Sequence, residues 1–296
     1  MEQPSIISIG DNVCDKYLSR NKMYPGGQCV NTCVYSQLNG VKSAYLGKFG
    51  SDEVAECVKS TLDECKIDYS HSRTYEGENG FALVTLKGND RVFLGSNKGG
   101  IAKEHSFSFT GDDLKYIKGF NLIYTNLNSY IEAELKTLYD TNVPIAFDFS
   151  TRWTDEYLKK VGPYVTMAIM SCAHLDDVTR EQEMKKAAAA GIKIVLGTVG
   201  EDGSYVLFEN EFYYASAKKA DNVIDTMGAG DSYFSAFMCS LLKAANDREN
   251  LILQNHDAMK ERLLLAMQKG ASFAAEVCSM EGAFGHGAEI KGRTTI

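Results

Sequence analysis

No stretch of this chain approaches the roughly 20 consecutive apolar residues that a membrane-spanning helix needs, which argues against a span. The opening Met1-Glu2-Gln3-Pro4 shows no positively charged segment leading into an apolar core, so no secretory signal is expected there. The cysteines, at 14, 29, 33, 57, 65, 172, 239 and 278, include no Cys-x-x-Cys pair. They read as scattered buried thiols in a reducing cytoplasm, not as a disulfide framework. An excess of positive charge is missing too. The net charge of -8 argues against a nucleic-acid surface and against polybasic attachment to a membrane. Internal repeats and low-complexity segments are likewise absent. What remains is 296 residues, 44% of them hydrophobic, enough for one large α/β domain with a full core.

Strand and helix signals alternate along the chain. Ser5–Gly10 reads as a short buried strand, 30–38 as a helix, 43–46 as a strand and 51–65 as a helix with Asp52 and Glu53 in its first turn. The pattern then changes. Segments 81–87 and 91–95 are β-rich around Gly88-Asn89-Asp90, a hairpin signal. Alternation resumes with strands at 122–124, 144–149, 166–170 and 192–198, and helices at 129–139, 153–160 and 180–190. A second hairpin, 204–208 with 211–214, precedes long helices at about 229–244 and 257–279. Repeated strand–helix units imply a doubly wound, mostly parallel sheet with helices on both faces. The early hairpin fits that pattern poorly. It is expected to pair with residues around 13–24 as a small β lid, contributed by about 12–25 and 76–100 of a single domain spanning 1–296; an edge meander is the alternative. A lid there would cover the crevice beyond the strands' carboxyl ends and exclude water.

The densest chemical signal is Asp225-Thr226-Met227-Gly228-Ala229-Gly230-Asp231-Ser232, running directly into the apolar Tyr233–Met238. Small residues opening a helix leave backbone N–H groups that suit an anion, and Asp231 stands beside them as a carboxylate able to accept a hydroxyl proton. Anion cradle plus base is what phosphoryl transfer to an alcohol requires, although a lone turn of this kind also serves simply to complement a helix dipole. Gly26-Gly27-x-x-x-Asn31, with Asp11, Asn12 and Asp15 after the first strand, supplies the polar side chains that hold vicinal hydroxyls. Thr198-x-Gly200-x-x-Gly203 follows a buried strand and suits nucleotide phosphates, or is a plain strand–turn–strand. Asp148-x-Ser150-x-Arg152 leaves another strand end, and the planar fork of Arg152 suits phosphate oxygens.

Together, in this order over nearly the whole chain, these elements resemble the ribokinase-type (PfkB) family of carbohydrate kinases. The resemblance implies a ribokinase-like fold, ATP and Mg²⁺ as cofactors, and a cytoplasmic enzyme acting on a small-molecule sugar or sugar-amine. By that likeness Asp231 is the base, Gly228, Ala229 and Gly230 form the anion hole, and Arg152 meets the transferred phosphate. Asp11, Asn12, Asp15, Gly26, Gly27 and Asn31 hold the sugar, while Thr198, Gly200, Gly203 and Ser171 hold ATP. The family's N-x-x-E element, tied to magnesium, is not kept at Ser171–His174, with Asp176 or Asp177 as substitutes, so the metal ligands stay open. Several stretches look closest to the fructoselysine 6-kinase branch, whose substrate is a ketose joined to an amino acid. In that case Asp90 and Arg91 pair with the zwitterionic part, or else only build the turn. A kinase of a free sugar or nucleoside, and a non-catalytic sensor on the same fold, are the alternatives. An exposed lid edge also suggests a homodimer.

Overall fold

A computed structural model describes residues 3–87, 90–245, 248 and 250–296, with the side chains of 87, 90 and 91 left out. In chain order the strands are β1 (Ser5–Gly10), β2 (Val13–Tyr17), β3 (Lys22–Gly26), β4 (Lys42–Phe49), β5 (Arg73–Thr74), β6 (Gly80–Lys87), β7 (Asp90–Ser96), β8 (Leu122–Asn126), β9 (Ile145–Asp148), β10 (Met167–Ser171), β11 (Ile194–Thr198), β12 (Ser204–Phe208), β13 (Glu211–Ala215) and β14 (Ala288–Glu289). The α-helices are α1 (Gln28–Leu38), α2 (Glu53–Glu64), α3 (Ile101–Glu104), α4 (Gly111–Ile117), α5 (Leu135–Tyr139), α6 (Asp155–Val161), α7 (Asp177–Ala189), α8 (Ala229–Ala245) and α9 (His256–Val277).

The main sheet runs β13-β12-β11-β10-β9-β8-β1-β4-β5 among the described residues. From β5 to β11 the neighbours are parallel, and β12 and β13 add an antiparallel margin. A parallel strand covered on both faces needs apolar residues on both sides, and β1 shows why Ser5–Gly10 reads as a continuous run. Ile6 packs into a core with α1, α2, α8 and α9, while Ile7 and Ile9 face the opposite core with α4 to α7. The chain leaves β1 for β4 on one side and returns to β8 on the other. The strand order therefore reverses between β1 and β8, and a crevice opens at their carboxyl ends. No helix among the described residues is long and apolar enough to cross a membrane.

Several local readings change in three dimensions. The expected helix over 129–139 is only α5, because Tyr130 adopts a left-handed φ of 53° and Ser129 N–H closes a turn on the Asn126 carbonyl. Asp52 is the N-cap of α2, accepting from Ala55 N–H, instead of lying in its first turn. Asp176 likewise caps α7, which starts at Asp177 ahead of the expected residue 180. The short β5, α3, α4 and β14 carry too few residues for periodicity to reveal them.

A second sheet, β14-β3-β2-β6-β7, stands over the crevice. The hairpin tip at Gly88-Asn89 lies outside the described residues, but β6 pairs in parallel with β2 along Val13–Tyr17. The chain's last described segment straps this sheet. β14 pairs with β3, and Lys16, 1% exposed, donates to the carbonyls of Lys291 (3.0 Å) and Arg293 (2.8 Å) above the Phe81 ring. A buried ammonium stripped of its acceptors costs about 3–5 kcal/mol. Deleting residues 288–296 is therefore expected to lower urea-unfolding stability by about that amount. Lys16→Met in the shortened chain should recover part of the loss; no recovery would show that Lys16 is not what the strap satisfies.

Candidate active site

The crevice holds a polar cluster built where strands stop. Asp11 follows β1, Asn126 ends β8 and Asp148 ends β9. The Asp11 carboxylate accepts from the N–H groups of Gln28 (3.0 Å) and Cys29 (3.1 Å) at the start of α1, and from Asn126 Nδ2 (2.7 Å). A carboxylate on a helix N-terminus pairs with its orphan donors and its dipole. Gly27 makes this contact possible. Its φ of 94° suits glycine, and a β-carbon there would lie 2.9 Å from Asp11 Oδ2.

With α1 so placed, Gln28 Nε2 reaches Asp148 Oδ2 (2.6 Å), and Asn31, less than one turn further on, reaches Asp231 Oδ2 (2.6 Å). Asp231 lies in the first turn of α8, half-buried. Desolvation raises its pKa to about 6; the Asn31 hydrogen bond opposes the rise, and the Asp11 charge adds to it. Asp148 is pushed further, to about 8, by burial first and by the Asp231 charge second, against the N–H of Ser150. At neutral pH the pair thus divides into one ionised and one protonated carboxyl, with macroscopic steps shared between them.

Gly228 precedes α8 with φ 75°, and a β-carbon there would stand 2.3 Å from Tyr35 Oη. Asp225 fixes this turn from below: it accepts from Met227 N–H (3.0 Å) and from Tyr17 Oη of the lid (2.7 Å). Around Gly230 nothing comes within 4 Å of where a side chain would begin, so Gly230 fronts open space. On the other wall, a β-carbon on Gly26 would lie 3.5 Å from Asn31 Oδ1 and 3.8 Å from Asp15 Oδ2. Asn31 Oδ1 is buried and has no hydrogen-bond partner among the described residues. Asn31 Oδ1 thus stands beside Asp231 as a buried acceptor without a donor among the described residues.

Asp11, Asn12, Asp15, Gly27, Asn31, Gly228, Asp231 and Arg152 line one cleft of about 700 Å³ between the lid and the sheet. The side chain of Asn12 is spent inward, donating to Tyr45 Oη (2.7 Å) and the Lys48 carbonyl (2.8 Å) and accepting from Asn79 (2.8 Å). Arg152 donates to Asn128 Oδ1, and Asn128 in turn donates to Gln28 (2.8 Å), so the guanidinium joins the same chain as Asp148. Thr198 and Ser171 end β11 and β10 in register with each other, with Gly200 and Gly203 just beyond. They lie at or just past the carboxyl ends of β10 and β11 and do not line the 700 Å³ cleft. The side chains of Asp90 and Arg91 are outside the described part. Gln28, Asn126 and Asn128 were not anticipated; a polar residue closing a buried strand is the signal that could have found Asn126.

Asp176 and Asp177 are occupied in α7, as its cap and as the partner of Arg180 (2.8 Å). No group of three or more His, Cys, Asp or Glu among the described residues could hold a metal. A larger cavity, about 840 Å³, lies at the opposite, amino-terminal ends of the strands around Thr166, Lys193 and Leu251, away from the paired carboxyls.

The family model described as pfkB family carbohydrate kinase matches residues 6–283. The fructosamine kinase FrlD of Bacillus subtilis (strain 168) is 35% identical over 283 residues, covering 95% of this chain and 93% of the relative. The fructoselysine 6-kinase of Escherichia coli (strain K12) is 31% identical over 79% of this chain and 88% of its own length. Among solved structures, Arabidopsis thaliana ribokinase complexed with ribose and ATP superposes with a TM-score of 0.76 at 16% identity, covering 95% of this chain and 94% of that one. Xylella fastidiosa fructokinase with bound ATP gives a TM-score of 0.79 at 15% identity, covering 95% of this chain and 94% of that one. Both share the ribokinase-like fold.

The raised pKa of Asp148 has a consequence for stability. A carboxyl shifted from 3.8 to about 8 on folding contributes stability that is whole below the lower value and is lost as pH climbs through the upper one. The melting temperature of the native chain minus that of Asp148→Asn should therefore fall steadily from pH 5 to pH 8.5. A difference that stays constant with pH would mean Asp148 is ionised in the folded protein.

Proposed function

The chain belongs to the pfkB family of carbohydrate kinases, and from that premise we propose an ATP-dependent kinase acting on the 6-hydroxyl of a ketose joined to an amine, a fructosamine such as fructoselysine. The observation that carries the reading is the unpartnered Asn31 Oδ1 beside Asp15 and within the reach of the Asp231 base. A buried carbonyl oxygen without a donor suits a hydroxyl, and a polyol offers hydroxyls in adjacent positions. The amine is supported by the relatives' names, which speak of a fructosamine and of fructoselysine.

In this reading Asp231 takes the hydroxyl proton as the oxygen attacks the γ-phosphoryl. With a pKa of about 6 it is ionised at neutral pH yet basic enough to share that proton. The N–H groups of residues 228–230 and the Arg152 guanidinium face charge developing on the phosphoryl oxygens, each oriented donor contributing on the order of 10²–10³ in rate. Magnesium, when bound with the nucleotide, would supply charge neutralisation of the phosphates. Thr198, Gly200, Gly203 and Ser171 hold ATP beyond β10 and β11, and Asp11, Gly26 and Gly27 shape the sugar wall. The lid excludes water that would otherwise hydrolyse ATP. Its β7 margin, with Phe93 62% and Leu94 50% exposed, offers an edge for a second copy, so a cytoplasmic homodimer belongs to this proposal.

Asp231→Asn should lower kcat by about 10²–10⁴ while the KM values for sugar and ATP change little. In the native enzyme kcat/KM should decline as pH falls through about 6, where Asp231 takes up a proton. Near-normal turnover by the variant removes Asp231 as base. A coupled ADP-release assay over fructoselysine, free fructose, ribose and adenosine should favour fructoselysine. Equal efficiency with free fructose would remove the amine from the substrate.

A further inference from the structure

The cleft is electrically two-sided. Asp11, Asp15 and Asp231 line one wall, while Lys98 and Lys103 line it where the chain returns from the lid to the main sheet. Many of the surface lysines sit on carboxylates: Lys59, Lys136, Lys185 and Lys186 each form an ion pair. Among the described residues, neither the Lys98 nor the Lys103 ammonium has a hydrogen bond or ion pair. Both stand in a chain of net charge -8, where acidic partners are plentiful.

The backbone that carries them is tied down, which separates them from ordinary mobile lysines. Lys98 holds a left-handed φ of 57°, an uncommon conformation for a residue with a side chain. Its carbonyl accepts from Tyr130 Oη (3.0 Å), and its N–H donates to Ser96 Oγ (3.2 Å). The Asn97 side chain accepts from Phe81 N–H (2.9 Å) and donates to the Asn79 carbonyl (2.8 Å), locking the loop to β6. A β-carbon on Gly99, next to Lys98 in the chain, would sit 3.9 Å from Lys103 Cβ, so the two lysines spring from neighbouring backbone, and both side chains are exposed at the cleft.

A neutral ketose is satisfied by the acidic wall alone and leaves this corner without a counter-charge. The secondary ammonium of a ketoseamine also belongs with the acids. We propose that Lys98 and Lys103 bind a carboxylate on the amine part of the substrate, selecting glycated amino acids over glycated simple amines. The proposal rests on the fructosamine reading above. The two lysines are specificity residues here, distant in role from the base and the anion hole. Their charge-assisted hydrogen bonds to a carboxylate bound in the cleft are expected to contribute about 10–100-fold in kcat/KM.

The test uses the full chain with ATP and two substrates that differ by one carboxylate, fructosylglycine and fructosylmethylamine. The native enzyme should favour fructosylglycine by about 10–100-fold in kcat/KM. In the double variant Lys98→Met with Lys103→Met that ratio should collapse toward one, and in the corresponding double arginine variant it should persist. Equal handling of the two substrates by the native enzyme overturns the proposal, as does a ratio that survives the methionine variant. If the methionine variant slows both substrates alike and raises the KM for ATP, the lysines serve the phosphoryl group, and the proposal falls. Turnover of free fructose with neither ketoseamine accepted would instead bring down the fructosamine reading, and this proposal with it.

Discussion

The hydrogen bonds from the start of α1 to the Asp11 carboxylate govern the rest of the site. They set the axial position and rotation of α1 against the ends of β1 and β8, and Asn126 closes the contact from the third side. Because α1 is a rigid rod with about 1.5 Å of rise per residue, fixing its first turn fixes Gln28 and Asn31 as well. Those two side chains then engage two separate carboxyls, Asp148 on the sheet and Asp231 on α8. A helix start that drifted by half a turn would lose both contacts at once. The carboxylate that caps the helix is thus also the origin from which the contacts to Asp148 and Asp231 are set.

Crowding acids at one sheet edge has an electrostatic cost, and the structure shows how it is met. Asp148, deeper than Asp231, carries its pKa up to about 8 and so stays largely protonated at neutral pH. That removes a charge next to Asp231 and lets the latter ionise near 6. Backbone and amide donors complete the compensation, with Ser150 and Gln28 on Asp148 and Asn31 on Asp231. The same logic explains why the turn before α8 is held by Asp225 from the lid side and not from within the cleft. In the proposed reaction a further free carboxylate at that turn would oppose the phosphoryl anion.

Much of this was legible in the chain itself, and the reasons differ by element. The 225–231 segment reads clearly because small residues followed by an apolar run leave few structural options besides a helix start with open donors. The alternation of buried strands and capped helices likewise announces a parallel sheet. Gln28, Asn126 and Asn128 were hidden because their roles come from the sheet order. β8 lies beside β1 although more than a hundred residues separate them, a neighbourhood no local pattern encodes. The shortened α5 escaped for another reason: Tyr130 takes a left-handed conformation that only its tertiary contact, a hydrogen bond to the Lys98 carbonyl, sustains. A two-residue strand such as β14 has no periodicity to read.

The strap on the lid carries an implication for biogenesis. The small sheet draws strands from residues 13–26 and 80–96, yet its outer margin and the acceptors for Lys16 come from beyond residue 287. A ribosome adds residues in order, so the lid strands emerge well before the residues beyond 287 that complete their sheet. Contacts of such long sequence separation also form slowly, because loop closure must precede any gain from pairing. During synthesis Asp11, Asn31 and Asp231 can be brought together while the sheet above them still lacks its β14 margin. The small sheet thus gains its β14 margin, and Lys16 its carbonyl acceptors, only after residues beyond 287 have been made, long after the strands they complete.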